Sequence, residues 1–595
     1  MRHPNVSSRL RVPSSAKQAT SPPSWRLSRR ACLALGMALL AGASGCEEPE
    51  TLDAHVNPVV NTKASSQTSL QQGMDFLKRL EESNAAEAYR RIQQYLQEWL
   101  AQQPEDKDWQ PDTMADRLPL NRQGGGTGEL LRQRSFEMYD ILSLRESLWL
   151  RDIAQASLRE GRLAPGLEDL VAKTPGAAEG DLRRSLTDAA KLFDWTVLNL
   201  QTDPSPEEAP GERQRFGSNL SLYAWESLLM GRGTMEEKSR VFTLLARQLG
   251  LDVVMLALDR PEAASPVPWL PAVAVGGQLY LFDMHLGSPL PEKSGEGILT
   301  LARLIDDPSL LESLAASADQ PYLVRPEDLS YVVAFLDATP ADLSLRMKLL
   351  ESALVGEDKM TLTANPSTLA KTLAESRGIQ RVEIWPLPYA VFAQRGSLDP
   401  NSQPAVELAM EHSLFDRRPL LLLARVQHFR GNFEPTEEQS GARSLYLASR
   451  VPEEELARIL ETPLPQNPGG SPPDDEAKRL HAQRLVVLQS LMRRTKQNAS
   501  YWLGLMAFDR GQYDVAIDYL EKRLLGLEPQ TIWSSGAHHA LGRAYEAKGR
   551  AENNLDALRK AHSTYLDAPP SAYTTANQWH ASHLPPEARE TGETP

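Results

Sequence analysis

Residues 229–254 read LMGRGTMEEKSRVFTLLARQLGLDVV, a helical pattern followed directly by an apolar run. Residues 236–249 are predicted to form a helix, and Gly250 follows as the expected C-cap. The next residues, 251–258, are apolar or β-branched, which is typical of a strand. A helix that leads directly into a strand predicts an α+β arrangement for this part of the chain.

A second stretch, residues 268–283, reads PWLPAVAVGGQLYLFD. Two apolar segments, 272–275 and 279–282, flank Gly276 and Gly277, and a Gly-Gly dipeptide favours a tight turn between strands. This pattern predicts a β-hairpin. Upstream, residues 181–201 place their apolar side chains on one face at helical spacing, which predicts an amphipathic helix.

Residues 181–290 together resemble the transglutaminase-like, papain-related fold. In that family a G-x-C turn opens the nucleophile helix, which ends in R-x-L-G-[IL], and an H-x-W…D hairpin supplies the catalytic His and Asp. When the two stretches are laid on this pattern without gaps, Met235 occupies the Cys position and Pro268 occupies the His position. Asp283 alone keeps the residue that the family uses.

The resemblance implies this fold without its chemistry. Acyl transfer needs a thiolate activated by an imidazole, and neither a thioether nor a proline ring supplies one. The hydroxyl of Thr234 lies one residue from the Cys position but would need a base, and His285 is on the wrong side of the hairpin for that role. We therefore expect no catalytic residues, and we expect Asp283 to accept hydrogen bonds from backbone donors or a neighbouring Arg.

The N-terminus predicts export. Residues 1–45 carry seven Lys or Arg and no acid, and end in the apolar run ACLALGMALLAGASG, which is shorter than the ~20 residues of a membrane span. The residues Ala43-Ser44-Gly45-Cys46 resemble a bacterial lipobox, which implies that Cys46 becomes the lipidated first residue of the mature protein. Ordinary secretory cleavage is the alternative. The prediction is an exported, membrane-anchored lipoprotein of the cell envelope.

Composition narrows the partners. At 595 residues with 41% hydrophobic residues, the chain is long and apolar enough for several globular domains. Cys32 and Cys46 are the only cysteines, so the mature protein would have no disulfide. Loss of seven positive charges with the signal peptide takes the formal charge from −14 to about −21. Nucleic acid and anionic lipid headgroups are poor partners for such an acidic protein.

The regions around the central domain differ in character. Residues 46–69 are polar and aperiodic, as in a tether, whereas residues 70–165 show helical spacing. Residues 291–400 suggest a mixed α/β extension with strands at 360–363 and 382–385 and a helix at 366–377.

Residues 415–565 contain the frame L-[GA]-x-x-x-x-x-x-G-x-[YFA] at 423–433, 503–513 and 541–551. The frame resembles the tetratricopeptide repeat, in which small residues let two antiparallel helices approach closely. The middle copy matches best, and the copies are irregularly spaced. This resemblance implies a short helical array that binds protein segments.

Histidines cluster late in the chain, as His538, His539, His580 and His583, with Glu587 nearby. Their spacing does not pair two ligands on one helix face, so we expect packing or surface histidines and neither a metal nor a cofactor. Residues 566–595 have the composition of a disordered tail.

The sequence thus predicts an α+β protein that is mainly helical and acts as a non-catalytic, protein-binding scaffold at the envelope. Two alternatives stay open: a hydrolase or acyltransferase with an unrecognised nucleophile, and a cell-wall binding module that uses the old substrate cleft.

The lipid anchor is directly testable. The protein should partition with membranes and incorporate radiolabelled fatty acid, and Cys46→Ser should abolish both because the serine hydroxyl does not replace the thiol in lipoprotein maturation. Recovery of the unchanged protein in a soluble, unacylated form would contradict the lipobox interpretation.

Overall fold

The computed structural model describes residues 62–82, 85–120, 126–176, 180–203, 220–292, 295, 297–315, 321–416, 419–437, 439–464 and 475–589. Helices account for 61% of the described residues and strands for 8%. The prediction of an α+β protein that is mainly helical is therefore confirmed. All of these residues belong to one compact unit of the chain.

A six-stranded sheet forms most of the β part of the fold, with strand order β6-β5-β4-β3-β7-β8. Its strands are β3 Asp252–Leu258, β4 Val267–Val275, β5 Gln278–Asp283, β6 Ser288–Pro289, β7 Val332–Leu336 and β8 Arg381–Ile384. Neighbours are antiparallel except β7 and β8, which are parallel. The predicted hairpin is confirmed: Gly276 and Gly277 have φ of 59° and 76°, and Val275 pairs with Gln278 across the turn.

The two faces of the sheet belong to different cores because side chains alternate along a strand. On one face Val253, Val273 and Phe282 join the largest hydrophobic cluster. On the other face Val254 and Leu281 join a second cluster. Helices α6 Asp181–Asn199 and α8 Met235–Gln248 cover the first face.

Helix α8 confirms the helix-to-strand unit that the sequence predicts. Thr234 caps its first turn: the Thr234 hydroxyl accepts from the Glu237 N–H, and the Glu237 carboxylate accepts from the Thr234 N–H. Gly250 lies between the helix and the strand with φ of 71°, a conformation that favours glycine. Between helices α6 and α8 lie α7 Ala224–Met230 and the short parallel pair β1 Gln201–Thr202 and β2 Arg232–Gly233.

In the described part of the chain, five α-helices precede α6. They are α1 Thr62–Lys78, α2 Ala85–Ala101, α3 Thr127–Arg132, α4 Met138–Arg159 and α5 Pro165–Lys173. The expected tether at 46–69 is corrected at its end, because α1 already begins at Thr62; residues 46–61 lie outside the described part of the chain. Helix α4 packs against α8, so the N-terminal helices are continuous with the central core.

The expected α/β extension at 291–400 contributes its strands β7 and β8 to the same sheet. It contains α9 Leu301–Asp306, α10 Leu310–Ser313, α11 Leu345–Ala353, α12 Pro366–Ala374 and α13 Leu387–Gly396. The predicted strand at 382–385 is observed as β8. The predicted strand at 360–363 is wrong, because these residues have no regular structure: Gln248 and Glu351 side chains accept their backbone N–H groups. Strand β7, next to β3, was not predicted.

The C-terminal part is entirely helical where it is described. Its helices are α14 Gln403–Asp416, α15 Pro419–Phe429, α16 Ala442–Ser449, α17 Glu453–Ile459, α18 Asp475–Asp509, α19 Tyr513–Ile517, α20 Ser534–Glu552, α21 Leu555–Leu566, α22 Thr574–Ser582 and α23 Pro586–Arg589. A π-helical segment, Asp518–Leu525, continues α19.

Three close helix pairs occupy the positions of the sequence frame: α15 with α16, α18 with α19, and α20 with α21. Gly511, with φ of 69°, makes the turn after α18. A Cβ on Gly504 would lie 2.9 Å from the Leu520 side chain, so the helix returning after Gly511 needs glycine at this crossing. Ala516 is fully buried in the same contact.

The structure corrects the expectation of a disordered tail at 566–595. Helices α22 and α23 fold back onto α21, where Ala581 and Leu584 are buried, and the buried Trp579 joins the second cluster. The amino-acid composition of residues 566–595 does not indicate that their few apolar side chains pack against other parts of the fold. Residues 590–595 lie outside the described part.

Candidate functional site

Met235 is the first residue of helix α8, one residue after the cap Thr234. Its side chain is half-buried and packs against the largest hydrophobic cluster. A methionine in this position fills apolar space at the start of the helix, and its thioether has no acidic proton.

Asp283 ends strand β5 and is buried. One carboxylate oxygen accepts from the backbone N–H groups of His285 and Leu286, at 2.6 and 3.1 Å. The other accepts from the Tyr322 hydroxyl, which in turn accepts from the indole N–H of Trp269 at 3.1 Å. Burial and Asp283 itself raise the pKa of Tyr322, so this hydroxyl keeps its proton and remains a donor.

These two positions lie on opposite faces of the sheet. Phe282 packs beneath α8, with its ring centroid 5.7 Å from that of Phe242. Asp283, the next residue, therefore points to the other face, where its partner Tyr322 belongs to the second cluster. In the described part of the chain, no hydrogen bond of Asp283 reaches α8.

Pro268 lies near the start of β4, half-buried, and pairs with Ala257 across a register shift in the β3–β4 ladder. The structure thus places Met235, Pro268 and Asp283 on the expected helix and hairpin, but does not bring Met235 and Asp283 together. His285 follows Asp283, and its N–H donates to that carboxylate.

The polar residues that do converge near the start of α8 centre on Lys238. Its side chain is completely buried, and the ammonium donates to the Thr202 hydroxyl at 2.8 Å and to the Val197 carbonyl at 3.3 Å. The ring of Tyr573 lies 5.7 Å from the Lys238 nitrogen. Burial lowers the pKa of Lys238 to about 7, with Asp203 opposing the shift.

Residues of the C-terminal region cover the surroundings of Lys238. The Thr202 N–H donates to the Tyr573 hydroxyl at 2.7 Å, and Gln201 joins the Ile532 carbonyl and the Gly536 N–H at 2.6 and 3.0 Å. Farther along α6, Asp194 and Arg543 form a buried ion pair at 2.7 Å. Within the described part of the chain, these contacts enclose Lys238, and its side chain is fully buried.

The helical spacing in the sequence indicates that Lys238 is buried. Lys238, Val241, Phe242 and Leu245 follow the i, i+3, i+4, i+7 spacing of one helix face, and all four are fully buried. A lysine on an otherwise apolar face indicates a buried amine.

The late histidines are mainly packing residues. His539 and His580 are buried, and their Nδ1 atoms face Asn577 at 2.9 Å and Glu546 at 3.5 Å. His538 is half-buried and His583 is exposed. Among the described residues, no group of His, Cys, Asp and Glu is arranged to hold a metal ion.

Cys46 and the signal segment lie outside the described residues. Within the part of the chain that is described, none of the helices combines the length and the apolar character needed to cross a membrane. Comparisons of the chain with protein-family models, with curated proteins and with solved structures give no significant match.

The buried lysine predicts a specific pH dependence. The folded pKa of Lys238 is about 7 and its ordinary value is 10.5, so between these values the unfolded state holds a proton that the folded state lacks. Stability from this group must rise with pH across that window, by at most ~1.4 kcal/mol per pH unit.

Urea unfolding of the unchanged protein and of Lys238→Met should show this trend. The free energy of unfolding of the unchanged protein should increase relative to that of the variant from pH 7 to pH 10. Groups shared by both proteins cancel in the difference. A difference that stays flat over this range would mean that the amine is charged in the fold.

Proposed function

We propose that this chain is a non-catalytic, protein-binding scaffold of the cell envelope, tethered to the membrane by a lipid on Cys46. In this proposal residues 181–290 form a transglutaminase-like domain without catalytic residues, and residues 415–565 form a tetratricopeptide-like array that contributes the binding surface.

One observation carries the non-catalytic part. Met235, at the start of α8, packs against the core on one face of the sheet, whereas the Asp283 carboxylate accepts a hydrogen bond from Tyr322 on the other face. A catalytic triad needs its members within hydrogen-bond reach of one another. The arrangement supports a domain that keeps a fold and performs no acyl transfer.

The covered start of α8 supports the same conclusion. A substrate cleft must admit a ligand, and here Tyr573, Ile532 and Gly536 from the C-terminal region hydrogen-bond directly to β1. The two regions also share one hydrophobic core. The C-terminal helices thus lie over the central domain and do not form a separate, mobile array.

Helix α18 supports the binding part. Its second half is buried, whereas in its first half Leu480, Val486, Val487 and Leu488 are each 41–54% exposed. Neighbouring exposed apolar side chains are typical of surfaces that bind another protein. Leu485, between them, is buried, because α17 packs on that side of the helix.

Restoring the family residues should not restore chemistry. In Met235→Cys/Pro268→His the introduced thiol should titrate at the same pH as in Met235→Cys alone, because the imidazole would have no carboxylate to orient it. The rate of alkylation by iodoacetamide against pH measures this thiol pKa. Both variants share any effect of the helix start on the thiol. A lower thiol pKa in the double variant alone would show that the imidazole reaches the thiol, which would contradict this prediction.

The binding surface is tested by photo-crosslinking in intact cells. A photoreactive amino acid at Val487 should give discrete protein adducts, because this side chain lies at the centre of the exposed apolar part of α18. The matched control is Val406 on α14, which is also apolar and 47% exposed. If Val487 gives no adducts, or if both positions give the same adducts, the first half of α18 is not the binding surface.

A further inference from the structure

Helix α22 meets β1 and α20 through polar side chains. Tyr573, the residue before α22, and Asn577 and His580 within it follow the i, i+4, i+7 spacing of one helix face, and all three are buried. The Tyr573 hydroxyl accepts from the Thr202 N–H of β1 at 2.7 Å. The Asn577 amide oxygen lies 2.9 Å from Nδ1 of His539 on α20. These five residues form a polar seam between α22 and the elements beneath it.

Two imidazole nitrogens in the polar seam lack hydrogen-bond partners. The amide oxygen of Asn577 can only accept, so Nδ1 of the neutral His539 ring donates and Nε2 keeps a lone pair. Neither Nε2 of His539 nor Nε2 of His580 has a partner among the described residues, and both atoms are buried. They lie next to the turn at Gly287, where an added Cβ would be 3.8 and 3.9 Å from them. A second proton on His539 would therefore sit on Nε2 without an acceptor, which is costly in the interior.

The charges around His539 also oppose a second proton. Burial lowers the pKa of His539 well below its ordinary value. His580, Arg543 and Lys238 lower this pKa further, whereas the hydrogen bond to Asn577 opposes the shift. Arg543 lies on α20 and Lys238 on α8, so positive groups approach the ring from two elements, and Arg543 also lowers the pKa of His580. The closed seam thus holds His539 in its neutral form.

His580 differs from His539 because a carboxylate lies beside it. Oε2 of Glu546 is 3.5 Å from Nδ1 of His580 and also accepts from the Tyr565 hydroxyl at 2.9 Å. Burial lowers the pKa of His580 below its ordinary value, His583 adds to the shift, and Glu546 opposes it. Because Glu546 offsets part of the cost of a charge on His580, we expect the larger response to acid from His539.

We propose that α22 and α23 are an acid-released cover over β1 and the start of α8. Below the ordinary histidine pKa of 6.5, the open form takes up a proton on His539 that the closed form does not hold, so the closed form loses stability as the pH falls. Because α22 and α23 pack chiefly on α21, they can open while the sheet stays folded. Opening uncovers Thr202 and Lys238. It does not involve the protein-binding surface proposed for α18.

Amide hydrogen exchange of the full mature chain at two pH values, neutral and mildly acidic, tests the proposal. The protection factor corrects each exchange rate for its intrinsic pH dependence. From about pH 7 to about pH 5, protection of residues 574–589 should fall roughly 20- to 30-fold, as expected for one imidazole that titrates normally in the open form, whereas β3 and β4 should keep theirs. Lys238 does not contribute, because its folded pKa of about 7 and its ordinary value do not lie below this range. Unchanged protection of α22, or an equal loss in the sheet, would overturn the proposal.

Two variants assign the response to His539. Asn577→Asp should keep α22 protected in acid, because a carboxylate beside Nδ1 would pair with the protonated ring. His539→Asn keeps a donor near the position of Nδ1 but does not titrate, so it should lose most of the pH effect. His481→Asn, which removes an imidazole of α18 outside the polar seam, is the matched control and should respond as the unchanged protein does. Circular dichroism at neutral pH shows which variants fold. A full loss of protection in acid in either folded variant would overturn the proposal.

Discussion

Helix α8 is buried, and much of the structure depends on the contacts that cover it. Its Phe242 packs with Phe193 and Phe282 at centroid distances of 5.4 and 5.7 Å. Burial of an aromatic side chain contributes roughly 2–3 kcal/mol, so this contact between helix and sheet is a strong constraint. Lys238, on the same helix, is stable in the interior only because Thr202 and Val197 accept its hydrogen bonds.

The other end of α8 is fixed by charge. Asp337, directly after β7, accepts from Arg240 at 2.7 Å and from Arg247 at 3.1 Å. Although burial raises the pKa of Asp337, the two arginines hold it below its ordinary value. Removing either partner of such a buried set leaves an uncompensated charge, which costs about 3–5 kcal/mol. The helix is therefore positioned along the sheet by ionic contacts and against it by aromatic ones.

The chemical consequences follow from that placement. With α8 on one face of the sheet and Asp283 turned to the other, Met235 packs against one core, whereas Asp283 is hydrogen-bonded to Tyr322 of the other. The C-terminal helices complete the enclosure of Lys238 through Tyr573. Exposed apolar side chains occur instead on the first half of α18.

The sequence by itself determined the local elements: the capped helix after Thr234, the hairpin at Gly276 and Gly277, and the turn at Gly511. These depend on neighbouring residues, so their signals are readable along the chain. The tertiary structure alone decided that β7 joins β3, that 360–363 is not a strand, and that Trp579 is buried. It also decided which face Asp283 occupies. Each of these outcomes depends on a partner distant in sequence, and periodicity or composition carries no information about such a partner.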